Sequence, residues 1–199
     1  MQNIIEKALK NSFSYTEYRQ LVSKLILEGK STGHTQTEDL LKYSELNETR
    51  MNRLEKTIEV PNEIMEQLNA LPKNYIWLTL TEGWCGDAAQ IVPILHKLDE
   101  VSTKIDLRLV LRDDNDDLMQ MFLTNGSKSI PKVIVLEKDS KKVVATWGAR
   151  PEPARKLIAD YKAEHGVVDE SIKIELQKWY LHDKGLTTMT ELVEVLQNS

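Results

Sequence analysis

Cys85 is the only thiol in the chain. It stands where an apolar, β-branched run gives way to a helical one, in Thr81-Glu82-Gly83-Trp84-Cys85-Gly86-Asp87-Ala88-Ala89-Gln90. A helix N-terminus carries about half a positive charge, and its free N–H groups point outward. A thiolate placed there is stabilised, and its pKa falls below the free value of about 8.5. Gly86 has no side chain, which leaves room for another chain to approach the sulfur. The alternative is a buried packing thiol. Asp87 acts in two directions: in the first helical turn it favours the helix, and beside a thiolate its charge raises the thiol pKa. Glu82 would add to that rise, so the ionisation of Cys85 stays open at this level.

Pro131 is the second feature. It follows Ile130 and opens an apolar run, as expected of a proline that starts a strand or lies at an edge. Arg50, Arg53 and Thr57 share one face of a long N-terminal helix. They could meet an anionic ligand or a carboxylate of the core domain, although a solvated or ion-paired face is the favoured reading. His34, His96, His165 and His182 lack metal-ligand spacing and read as surface or capping residues. Asp113-Asp114-Asn115-Asp116-Asp117 has neither the glycine nor the distal glutamate of a calcium loop and reads as a helix start. Gly29-Lys30-Ser31 lacks the upstream glycine of a phosphate loop and follows a helix. No metal and no cofactor is implied.

The 199 residues are enough to bury a core without covalent staples. A single cysteine excludes an intramolecular disulfide and any multi-cysteine metal site. The 26 basic and 31 acidic residues give a net charge of −5, which argues against nucleic-acid or membrane-surface partners. The N-terminal stretch mixes charged and apolar residues and has no signal-like apolar core. No run is long enough to span a bilayer. The expected compartment is the cytoplasm, where a lone thiol stays reduced.

These groups are positioned by a predicted α/β arrangement. Residues 1–60 read as a helical extension. Ser14-Tyr15-Thr16-Glu17 has the form of a capping box, and Thr37 can cap a longer helix. Residues 61–165 carry the mixed part: strands over 75–81, 105–111, 130–137 and 143–147, with helices between the first three and after the last. The order β-α-β-α-β-β-α predicts two parallel, adjacent strands and an antiparallel hairpin, hence a mixed four-stranded sheet flanked by helices. Asn125-Gly126 is expected to end the third strand's preceding helix. Residues 166–199 read as two more helices, the second capped by Thr188 with Glu191 three positions on. The three segments are expected to form one compact unit.

Trp84-Cys85-Gly86-Asp87-Ala88 resembles the Trp-Cys-Gly-Pro-Cys active site of thioredoxins. Pro93 falls where thioredoxins carry the proline that kinks the active-site helix. Ser129-Ile130-Pro131 before Val133-Ile134-Val135-Leu136 resembles their Gly-Ile-Pro strand, and Trp147-Gly148-Ala149 the end of their fourth strand. The resemblance spans about residues 75–164 and implies a thioredoxin-like fold with Pro131 in cis, facing Cys85. The stretch 29–53 is similar to a bacterial subgroup with a helical preface. Two departures matter. Ala88 replaces the second, resolving cysteine, without which a mixed disulfide waits for an outside thiol. Thr79 replaces the buried carboxylate that serves that cysteine.

Two functions follow from the resemblance. In the first, Cys85 is a monothiol redox site flanked by Trp84, Gly86, Asp87 and Ala88. It exchanges with a protein or small-molecule thiol or disulfide, or senses oxidants through a sulfenic acid. Pro131 would keep metal from the thiol, and Ile130 would offer backbone hydrogen bonds to an extended partner. In the second, the scaffold has lost its redox pair and the same groove docks a protein or peptide.

Overall fold

The computed structural model describes residues 1–198. Four helices come first: α1 (Gln2–Lys10), α2 (Tyr15–Leu27), α3 (Glu38–Thr57) and α4 (Asn62–Asn69). The mixed part follows as β1 (Tyr75–Thr81), α5 (Gly86–Val101), β2 (Ile105–Leu111), α6 (Asp116–Met121), β3 (Lys132–Glu137), β4 (Val143–Gly148) and α7 (Glu152–His165). The chain closes with α8 (Glu170–Asp183) and α9 (Leu186–Gln197).

The sheet order is β2-β1-β3-β4. β1 pairs parallel with β2, Tyr75 opposite Ile105, and antiparallel with β3, Leu80 opposite Lys132. β3 pairs antiparallel with β4. Every residue of β1 is buried, as its apolar, β-branched sequence requires of a central strand. α3, β2 and α9 all pack against α5, so both helical flanks close on the helix that Cys85 begins. At the outer side of β2, Phe13 and Leu109 exchange backbone hydrogen bonds of 2.8 and 2.9 Å.

Local chemistry sets the helix ends. The Ser14 hydroxyl accepts the Glu17 N–H while the Glu17 carboxylate accepts the Ser14 N–H at 2.7 Å, the reciprocal bonds of a capping box. Thr37 caps α3 by accepting the Leu40 N–H, and Asp169 caps α8.

Three sequence expectations are corrected. Asn125-Gly126 does not end α6, which stops at Met121. The pair makes a tight turn in which Thr124 and Ser127 exchange hydrogen bonds, with φ of 50° and 76° at its two central residues. Two positive φ values are what an Asn-Gly hairpin turn supplies. Thr188 does not cap α9, because Gly185, at φ 83°, occupies that position; Thr188 is fully buried in the first turn. The third strand begins at Lys132, so Ile130 and Pro131 lie just ahead of it.

Candidate functional site

The site is built around the turn from β1 into α5. Both backbone groups of Gly83 are held by the N-terminal flank: its N–H donates to the Thr32 hydroxyl at 2.8 Å, and its carbonyl accepts from Asn47 at 2.9 Å. Trp84 is half-buried, with the Arg112 guanidinium 4.7 Å from its ring centroid. Glu82 is fully buried. One of its oxygens accepts the Asp113 N–H at 3.0 Å. Burial pushes the Glu82 carboxyl up to about 7, against the Thr32 hydroxyl and the Asp113 N–H, which favour the anion.

Cys85 is the N-cap of α5. Its Sγ accepts the Ala88 N–H at 3.4 Å, and its S–H donates to the Ile130 carbonyl at 3.4 Å. The peptide bond that follows that carbonyl, Ile130–Pro131, is cis, as is Gly148–Ala149. Gly148 takes φ 118°, and a Cβ there would lie 2.2 Å from the Pro131 carbonyl oxygen, so only glycine fits against the proline.

Cys85 is 8% exposed. Burial, and then the negative charge of Asp87, push its thiol up to about 12, while the Ala88 and Asp87 N–H groups pull it back only in part. Of the opposing effects that the sequence leaves undecided, those that raise the thiol pKa outweigh the helix N-terminus. Half a positive charge does not offset removal from water together with an adjacent carboxylate. The resting species is the thiol.

Asp87 has a second role. It accepts from Arg150 Nε at 2.9 Å and from the Tyr180 hydroxyl at 2.9 Å, and Arg150 Nη2 lies 2.7 Å away. Gln90 donates to Gln177 at 2.7 Å. α8 is thus fastened across the start of α5. The room expected above Gly86 is also taken: a Cβ there would meet Arg50 Nη1 at 3.5 Å and Gln177 Nε2 at 3.9 Å. Arg50 donates to Asn47 at 2.9 Å and has no ion pair among the described residues, and burial holds its pKa below the usual value. Arg53 and Thr57 face a separate cavity instead.

The structure brings Trp84, Cys85, Gly86, Asp87 and Ala88 together with Ile130 and Pro131. Thr32, Asn47, Arg150, Gln177 and Tyr180 complete the site and carry no signal in the sequence. The partners of Asp87 lie 63 and 93 positions away, beyond any local pattern. No group of three or more metal-ligating side chains converges among the described residues.

A family model described as Thioredoxin matches residues 33–162, more than half of the chain. The chain belongs to the thioredoxin family. The match takes in Cys85, Pro131 and the whole of α3, and leaves out α1, α2, α8 and α9. Among curated proteins none matches the chain. Among solved structures it is similar to a protein of unknown function from Pseudomonas aeruginosa, at 16% identity over 93% of this chain and 98% of the other, with a TM-score of 0.60. It is also similar to an HIV epitope-scaffold, at 15% identity over 89% and 98% of the two chains, with a TM-score of 0.59. At these identities the likeness concerns the fold.

Proposed function

We propose that this thioredoxin-family protein works by binding a protein or peptide partner, with Cys85 held as a packed, protonated thiol. The observation that carries this reading is the state of Cys85: buried, bonded to the Ile130 carbonyl, and pushed up to about 12. A dithiol reductase needs a thiolate to attack and a second thiol to resolve. The first is suppressed here, and Ala88 stands in place of the second. The two helices that meet the start of α5, α3 and α8, carry surface suited to docking. Tyr43 and Leu46 on α3 and Ile174 on α8 are exposed apolar side chains, and the half-buried Arg50 offers unused donors between the two helices. A reducing compartment such as the cytoplasm fits a lone thiol with no disulfide partner in the chain.

A second reading is favoured by one observation, the Ala88 N–H aimed at Sγ opposite the Ile130 carbonyl. Here Cys85 ionises when α8 lifts and attacks a disulfide. One mixed disulfide forms and one thiolate leaves, and an external thiolate then releases Cys85. A Cys85→Ser variant separates the two readings. Under the binding reading it keeps its partner and its stability, and the wild-type protein shows no turnover with a disulfide substrate and a small thiol. Turnover that disappears in Cys85→Ser overturns the binding reading.

A further inference from the structure

Two side chains, one from each flanking helix, meet over Gly86. A Cβ at that position would lie 3.5 Å from Arg50 Nη1, on α3, and 3.9 Å from Gln177 Nε2, on α8. Each is held from beneath by a buried residue. Arg50 Nη1 donates to Asn47, whose own amide donates to the Gly83 carbonyl. The Gln177 oxygen accepts from Gln90, which leaves its NH2 group directed elsewhere. Among the described residues Arg50 uses one of its N–H groups and the Gln177 NH2 uses none. These donors are close enough for one carboxylate to accept from both side chains. We infer that the surface between α3 and α8 takes an acidic side chain of a peptide partner, held by Arg50 and Gln177. The inference rests on the binding reading above and gives its partner a chemistry.

The charges around Gly86 select an acid. Arg50 has no ion pair among the described residues, and neither has Arg53, one turn further along α3. The carboxylate whose charge reaches Arg50 is Asp87. Asp87 is already neutralised by Arg150, 2.7 Å away. On α8, Glu170 is paired with Lys173 at 2.6 Å and Glu175 with Lys178 at 2.7 Å. On α3, Glu48 is paired with Arg19, and Glu45 lies on another face of the helix. Asp39 is three turns from Arg50, about 16 Å along the axis. With these pairs cancelled, the two arginines are left over, in a chain whose net charge is −5.

Burial by a partner sharpens the preference. Arg50 is half-buried, and its removal from water already disfavours the cation. A partner that covers it further removes the remaining water, which is costly unless the partner brings an anion to the same place. A lysine or arginine brought there meets repulsion instead. The acid's neighbours would be apolar. Tyr43 and Leu46 precede Arg50 by two turns and one on α3, Ile174 precedes Gln177 by one turn on α8, and all three are exposed.

The test selects random nine-residue peptides, displayed on phage, against the full chain. Binders are then synthesised with blocked ends and titrated by amide NMR. They are expected to carry Asp or Glu beside an apolar residue and to shift residues 43–50, 86–88 and 174–177. Glutamine in place of the acid should weaken binding about tenfold, the loss of one charge-assisted pair, and lysine should weaken it more. In Arg50→Gln the acidic peptide and its glutamine form should bind alike. Peptides that bind this face with no preference for an acid overturn the inference and leave the binding reading standing. No binder for this face overturns both. An acid preference that survives Arg50→Gln overturns the inference alone. The wild-type comparison of acid with glutamine decides the matter even where the variant folds poorly.

Discussion

The alkylation rate of Cys85 tests the state of the thiol directly. A thiol titrating at about 12 is ionised at pH 7 to roughly one part in 100,000. An ordinary cysteine at about 8.5 is ionised to roughly three parts in 100. More basic thiolates are intrinsically faster nucleophiles, with a Brønsted slope of about 0.4–0.5, which returns a factor of roughly 40. Folding should therefore slow the reaction with iodoacetamide at pH 7 by about 100-fold from ionisation alone, and burial of the sulfur slows it further. The comparison is made within one sample, native against denaturant-unfolded, from pH 6 to 11. The native rate should still be rising at pH 10. Asp87→Asn removes the neighbouring charge yet keeps an acceptor for Tyr180. It should speed the native reaction about three- to fourfold for each unit by which the thiol pKa falls. A native rate at pH 7 equal to that of the unfolded chain, with a plateau below pH 8, would refute the reasoning.

Three further outcomes are expected. The carboxyl of Glu82 has a folded-state pKa of about 7 against 4.5 unfolded, so the native state holds that proton more tightly. Its contribution is complete below about pH 4.5 and is lost as the pH rises through 7, about 3 kcal/mol in all. Urea unfolding should show that slope in the wild type and its loss in Glu82→Gln; equal slopes in the two would contradict it. Tyr180→Phe deletes a buried hydrogen bond to a charged carboxylate, at a cost of about 2 kcal/mol. Amide exchange over residues 170–183 should quicken, and unchanged protection would mean that α8 is held by other contacts. The Thr188 hydroxyl is fully buried with no partner among the described residues, so Thr188→Val should stabilise by about 1 kcal/mol and raise Tm by about 2–4 °C.

Local signals in the sequence translate well into structure where the cause is local. β1 and β2 fall at residues 75–81 and 105–111 because short, apolar, β-branched runs between polar turns have few other solutions. The capping boxes and caps at Ser14 and Thr37 work within three residues, and both are seen. Thr188 shows the limit of such patterns. It has the right spacing to Glu191, yet the chain turns into α9 at Gly185, and Glu191 bonds instead to the Trp147 indole and the Glu152 N–H. The site divides in the same way. Trp84 to Ala88 are contiguous and legible, and the raising effect of Asp87 on the thiol follows from adjacency. Arg150 and Tyr180 come from separate elements, and only the fold joins them to Asp87. The ionisation of Cys85 stayed open in the sequence for that reason: the residues that bury the sulfur are far away along the chain.

The pairing of Phe13 with Leu109 has a consequence for how this protein can meet copies of itself. A strand with an open side is a template that any extended chain can copy, and sheets exposed in this way tend to grow. Here the protein's own backbone, arriving from between α1 and α2, has already taken up part of the outer side of β2. Growth in that direction would have to evict it. The other border of the sheet is β4, entered through Lys141 and Lys142, and a pair of lysines repels a second pair brought alongside. A doorstop at one border and like charge at the other both oppose the addition of a further strand. Removing residues 1–13 would lift the doorstop and offer β2 to the next chain.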